Sequence, residues 1–159
     1  MSILIVDDSP PVVSLLRATL GRAGYEGAVC KDCGPAALSY LGIDPPGPFK
    51  PEIDCVLLDI GMPGMDGIEV CRRIKEHPAY ADTPVIMVTI RDEAEILREA
   101  FMAGASDFIT KPVRELELLA RLKAVLAMKR EIMARKALEV EVASLKEKLA
   151  ECMMIAPTD

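Results

Sequence analysis

Five times along this chain a short, β-favouring apolar run gives way to a segment of helical character. The runs are SILIV at 2–6, YEGAVC at 25–30, DCVLLD at 54–59, PVIMVT at 84–89 and SDFIT at 106–110. After them come PPVVSLLRATLGRAG, GPAALSYL, GIEVCRRIKEH, EAEILREAFMAGA and a long stretch starting at Val113. Repeated strand–helix alternation predicts a parallel sheet covered by helices on both faces, because each parallel connection needs a crossover long enough to hold a helix. A strand as continuously apolar as residues 56–58 fits burial on both sides. Helix punctuation agrees: Ser9 can cap with Pro10 at the first helical position, and Gly24 and Gly104 stand where helices should stop. The segment GIDPPGPFKPEID, 42–54, holds four prolines in thirteen residues and reads as a surface loop.

In an open α/β sheet the functional crevice lies beyond the carboxyl ends of the strands. Here those ends carry Asp7 and Asp8 on the first strand, Asp59 on the third, Thr89 on the fourth, and Thr110 with Lys111 on the fifth. Two unit charges about 4 Å apart near a surface repel by roughly 4 kcal/mol at an effective dielectric of about 20, so the adjacent aspartates call for compensation. A hard cation such as Mg2+, which prefers oxygen ligands, supplies it. One carboxylate of such a cluster can attack phosphorus, while a lysine and a hydroxyl stabilise the added phosphoryl oxygens. Asp59 is the best nucleophile candidate, because the loop DIGMPGMDG that follows can turn sharply and approach a ligand closely. Asp7 and Asp8 are then left to the metal. Without Mg2+, at least one of the three should titrate above the ordinary aspartate value of about 3.9.

Four stretches, ILIVDDSP, VLLDIGMPGMDG, PVIMVTIRDE and AGASDFITKP, stand in an order and at spacings that resemble the receiver domain of two-component response regulators over about residues 1–125. The resemblance implies a flavodoxin-like doubly wound five-stranded parallel sheet of order 2-1-3-4-5. It also implies phosphorylation of Asp59 by a sensor histidine kinase, with Mg2+ held by Asp7, Asp8, Asp59 and the backbone carbonyl of Gly61. Thr89 matches the switch hydroxyl, Lys111 the phosphate-pairing lysine and Phe108 the switch aromatic whose rotation accompanies activation. The Lys111–Pro112 bond is commonly cis in this family. Three positions depart from the usual pattern. Ile90 stands where a small residue is usual and narrows access to Asp59, Phe108 lacks the phenolic oxygen of a tyrosine, and Cys33 replaces the usual Asp or Asn ahead of the second helix, weakening its cap.

Other features carry bland readings. Cys30 and Cys33 form a C-x-x-C without a second ligand pair, His77 sits in the EHPAY surface turn, and the five cysteines are expected to be free thiols. Nine methionines read as core filler. The formal charge of −6 leaves no basic excess for direct nucleic-acid binding. With neither a membrane-length apolar run nor a signal peptide, a cytoplasmic location is expected.

From Val113 to about Glu151 there is neither Gly nor Pro, which predicts a helix about 60 Å long at roughly 1.5 Å per residue. Leu138, Val142, Leu145, Leu149 and Cys152 recur at steps of 4, 3, 4 and 3, a heptad seam. Leu118, Leu122, Val125 and Ile132 fit a similar seam upstream if Lys129 is tolerated, and the register breaks between 132 and 138. The expected organisation is a receiver domain at 1–125, a helical coiled-coil extension at 126–152 forming a parallel homodimer, and a tail at 153–159. The ending MMIAPTD resembles the entry to a diguanylate cyclase (GGDEF) domain, which implies that the chain is the N-terminal part of such a regulator.

The expected activity is therefore regulatory and not enzymatic: Asp59 accepts a phosphoryl group and the last helix passes the change to a dimer or an effector domain. The alternative is a Mg2+-dependent phosphohydrolase with an aspartyl-phosphate intermediate, of the haloacid dehalogenase type. That family puts its nucleophile on the first strand with a second Asp two residues on, whereas Asp7 and Asp8 are adjacent and Asp59 lies on the third strand.

Overall fold

The computed structural model describes residues 1–90 and 92–155. Its elements are β1 (Ile3–Val6), α1 (Pro10–Arg22), β2 (Val29–Lys31), α2 (Gly34–Tyr40), β3 (Cys55–Asp59), α3 (Gly67–Glu76), β4 (Val85–Thr89), α4 (Ala94–Met102), β5 (Asp107–Thr110) and α5 (Glu115–Ile155). All strand pairs are parallel and the sheet runs β2-β1-β3-β4-β5, the expected doubly wound order.

Side chains alternate across the pleat and divide the core in two. Leu4, Val6, Val56, Leu58, Val85 and Met87 pack under α2, α3 and α4. Ile3, Ile5, Leu57, Ile86, Val88 and Ile109 pack under α1 and the first part of α5. Both faces being covered, the central strands are apolar without interruption. The 42–54 segment is a surface loop with its end tucked in: Ile53 is buried, Lys50 Nζ donates to the Gly42 and Gly47 carbonyls, and Tyr80 Oη donates to the carbonyls of Leu41 and Pro51.

Several local expectations change. β2 occupies residues 29–31 and not 25–30, because Tyr25 lies in the turn after α1 and only Val29, Cys30 and Lys31 reach register with Leu4, Ile5 and Val6. Ser9 is at the N-cap of α1, but its side chain makes no capping bond. Pro11 carries no N–H, which removes the N2 donor a cap would satisfy, and the Ser9 N–H donates to Asp7 Oδ1 at 2.8 Å. Cys33 makes no side-chain cap for α2, as expected from its departure from the family pattern. Gly24 and Gly104 do follow α1 and α4, both at positive φ.

The upstream heptad seam is not a free surface. Leu118, Leu122 and Val125, together with Leu126, are buried against the receiver's own sheet. From Ala137 to Ile155 every residue of α5 is exposed, including Leu138, Val142, Leu145 and Leu149. The helix runs to Ile155, past the expected Glu151, and it contains no stretch long and apolar enough to cross a membrane. Residues 156–159, which carry the Asp of the MMIAPTD ending, lie outside the described residues, as does Arg91 of PVIMVTIRDE.

Candidate functional site

The strand ends meet as their order requires. β1 and β3 are adjacent, with Val6 opposite Leu58, so Asp7 and Asp59 emerge side by side at the carboxyl edge. Thr89 closes β4 opposite Thr110 of β5, and the Lys111 N–H donates to the Thr89 carbonyl at 2.7 Å. The Lys111–Pro112 bond that follows is cis.

Asp7 and Asp59 are almost fully buried, at 2% and 6% exposure, while Asp8 is exposed. One carboxylate oxygen from each of the three lies within 4.8 Å of the others. Lys111 reaches into the same cluster: its Nζ is 2.9 Å from Asp7 Oδ2 and 3.3 Å from Asp59 Oδ1. Burial raises the Asp59 pKa above the ordinary carboxylate value, the Lys111 charge opposes this, and the Asp7 charge adds to the rise. Burial alone would lower the Lys111 pKa, but its hydrogen bond to Asp7 and the charges of Asp59 and Asp7 outweigh that and hold it above its ordinary value. The expected upward shift within the acidic cluster thus falls on Asp59. A donor set of three carboxylates, two buried and one open to solvent, fits a hard divalent cation that keeps several waters.

The loop after Asp59 folds back closely. The Gly61 N–H donates to Asp59 Oδ1 at 3.2 Å, and Asp66 caps α3 by accepting from the Glu69 N–H at 2.9 Å. Gly67 packs so tightly that a Cβ there would stand 2.0 Å from the Asp59 carbonyl oxygen, so only glycine lets α3 start at this distance from β3. Ile90 is 73% exposed and borders a shallow cavity of about 360 Å³ with Ile60, Gly61, Met62, Asp66 and Thr89.

Phe108 is half-buried on β5, edge-on to Phe101 with ring centroids 6.1 Å apart. Arg121 of α5 lies 5.8 Å from its ring centre and holds Asp107 through Nη1, 2.9 and 3.0 Å from the two carboxylate oxygens. Sequence reasoning did not single out Arg121. The signal available in the sequence was its place two turns inside the helix that follows Phe108, which many surface arginines share. Cys30 lines a groove of about 480 Å³ beside Asp7 and Asp8, with Pro10, Val13 and Lys31. No disulfide joins the two cysteines.

The family model for the response regulator receiver domain matches residues 3–123. The chain is 39% identical over 127 residues to the response regulator PleD of Caulobacter vibrioides, covering 80% of this chain and 26% of that protein. It is also 39% identical over 125 residues to the phosphate regulon transcriptional regulatory protein PhoB of Pseudomonas aeruginosa, covering 79% of this chain and 51% of the relative. It thus spans between a quarter and a half of these curated relatives. Among solved structures, a putative response regulator from Chloroflexus aurantiacus superposes with a TM-score of 0.70 at 32% identity, over 79% of this chain and 97% of that one.

Proposed function

The chain belongs to the response regulator receiver family, and from that premise we propose that Asp59 is its phosphoacceptor, supplied by a sensor histidine kinase. The observation that carries this reading is the buried Asp7–Asp59–Lys111 cluster at the carboxyl edge, with Asp8 open to solvent beside it. The family match does not favour the phosphohydrolase alternative.

Asp7, Asp8 and Asp59, with the Gly61 carbonyl, would hold Mg2+, which when bound neutralises the carboxylates and the incoming phosphoryl oxygens. A carboxylate oxygen of Asp59 attacks phosphorus; the new O–P bond forms as the N–P bond of the donor phosphohistidine breaks. Lys111, already within 3.3 Å of Asp59, is placed to pair with a phosphoryl oxygen. Thr89 sits in the neighbouring strand end, within the register that also fixes Lys111, and supplies the switch hydroxyl. Phe108, pinned between Phe101 and Arg121, links that edge to α5. The exposed part of α5 forms a parallel homodimer through Leu138, Val142, Leu145, Leu149 and Cys152.

Solution mass measured with and without Mg2+ and beryllofluoride, using Asp59→Asn as control, tests this directly. A mass change in the parent that is lost in the variant is expected. Radiolabel from a phosphorylated histidine kinase that transfers to Asp59→Asn as well as to the parent would overturn the assignment of Asp59.

A further inference from the structure

On α5 the residues Leu118, Leu122, Val125, Lys129, Ile132 and Lys136 follow one another at steps of 4, 3, 4, 3 and 4. At about 100° per residue they all lie within roughly 40° of Leu118 around the helix, so the two lysines continue the face that packs on the sheet. The contacts agree. Lys129 Nζ, on a side chain only 18% exposed, donates to the Ile53 carbonyl at 2.6 Å and stands 3.7 Å from Asp54 Oδ1. Lys136 is paired with Asp82. Between them Ile132 is half-buried and lines a small cavity of about 110 Å³ with Lys75, Asp82, Val125 and Lys129.

The groups these lysines grip are themselves held. Asp54 Oδ2 accepts from the Ser2 N–H at 2.7 Å and the Asp54 N–H donates to the Ser2 carbonyl at 2.8 Å, tying the start of β3 to the start of β1. The loop carrying Asp82 is fixed by Lys75 Nζ, which donates to the Thr83 carbonyl at 2.9 Å, and by Thr83 Oγ1, which donates to the Ile53 carbonyl at 3.4 Å. Ile53, Asp54 and Asp82 all precede β3 or β4, so the lysines attach the helix at the amino edge of the sheet, opposite the acidic cluster.

We propose that Lys129 and Lys136 form a clasp that makes α5 part of the receiver's rigid body as far as residue 136 and so sets the direction in which the remaining helix leaves the domain. An isolated exposed ion pair would contribute little. Lys129 differs because its ammonium is half-buried on a backbone carbonyl. Lys136 lies about two turns further on and holds the same face down against a second, independently fixed loop.

Hydrogen exchange of the full chain, compared between Lys129→Met with Asp82→Asn and the parent, tests the clasp. Both changes keep the helix-forming character of α5. In the parent, amides 128–136 should exchange within about tenfold of amides 118–126, and in the double variant they should speed up by about tenfold or more while 118–126 stay unchanged. Unchanged exchange at 128–136 would overturn the clasp. Should Lys129→Met prevent folding, Asp82→Asn alone, a change in a loop outside the core, should still accelerate exchange around residue 136; no acceleration there would equally overturn it.

Discussion

Asp59 is the residue on which the charge balance of the site turns. Burial and the Asp7 charge lift its pKa, and Lys111 opposes the rise without cancelling it. A carboxyl whose folded value exceeds its unfolded one destabilises the folded state when the pH is above both, and this penalty vanishes as the pH falls to the unfolded value. In chelator, Asp59→Asn should therefore raise the Tm at pH 7 to 8, since Lys111 keeps Asp7 as a partner. The gain should shrink to nothing near pH 4, about the ordinary carboxylate value. Adding Mg2+ should stabilise the parent more than the variant. A thermal unfolding series across pH checks both statements, and a lower Tm for the metal-free variant at neutral pH would contradict the first. The aspartates were legible because Asp7 and Asp8 come immediately after one apolar strand and Asp59 ends another. The raised pKa of Asp59 was not, because its largest cause is burial by the fold, and the opposing Lys111 charge comes from a residue distant in sequence.

Among the elements, α5 shows how one continuous helix changes partner. Its stripe of Leu118, Leu122, Val125 and Ile132 faces the receiver, and at about 100° per residue the stripe from Leu138 to Cys152 is centred roughly 200° away. The register break between 132 and 138, visible in the sequence, marks where the inward face ends and the outward one begins. A second copy seated on the distal stripe would therefore leave the receiver's own packing untouched. Leu122→Ala should cost about 2 to 5 kcal/mol of receiver stability, because Leu122 is fully buried. Leu145→Ala, at a position 58% exposed, should change it by no more than about 0.5 kcal/mol while weakening self-association. Denaturant titration and sedimentation of both variants distinguish the two faces; equal losses of stability would mean that the distal stripe also packs on its own domain. Sequence periodicity exposed both stripes but could not tell an intramolecular partner from an intermolecular one, since burial of either kind selects the same residues.

Across the whole molecule, the acidic cluster and the exit of α5 lie at opposite edges of the sheet. Glu115 begins the helix near Lys111, and Lys129 and Lys136 attach it at the amino edge. On the proposed reading, a change at Asp59 would reach the extension through the body of α5, whose Arg121 meets Asp107 and Phe108 of β5. In a parallel, in-register pair, Cys152 falls on the seam next to its counterpart. Mild oxidation should then give a disulfide-linked dimer that disappears in Cys152→Ser, as read on a non-reducing gel. Cys55 and Cys71 are buried, and burial pushes their thiols up to about 12 and about 11, leaving them poor competitors. A dimer seen in solution that yields no such crosslink would argue against the parallel register.

By itself the sequence determined the strand–helix alternation, the doubly wound order implied by its motifs, and the identity of the residues that end the strands. These are local or periodic properties, and strand ends in such a sheet must gather at one edge. Tertiary structure decided what depends on distant partners. The Ser9 side chain makes no capping bond, Arg121 grips Asp107 beside Phe108, and the two lysines of α5 fall on the face that meets the amino edge of the sheet. The same heptad spacing encodes a core face before residue 136 and an exposed stripe after it, and only the sheet lying against the first half separates them.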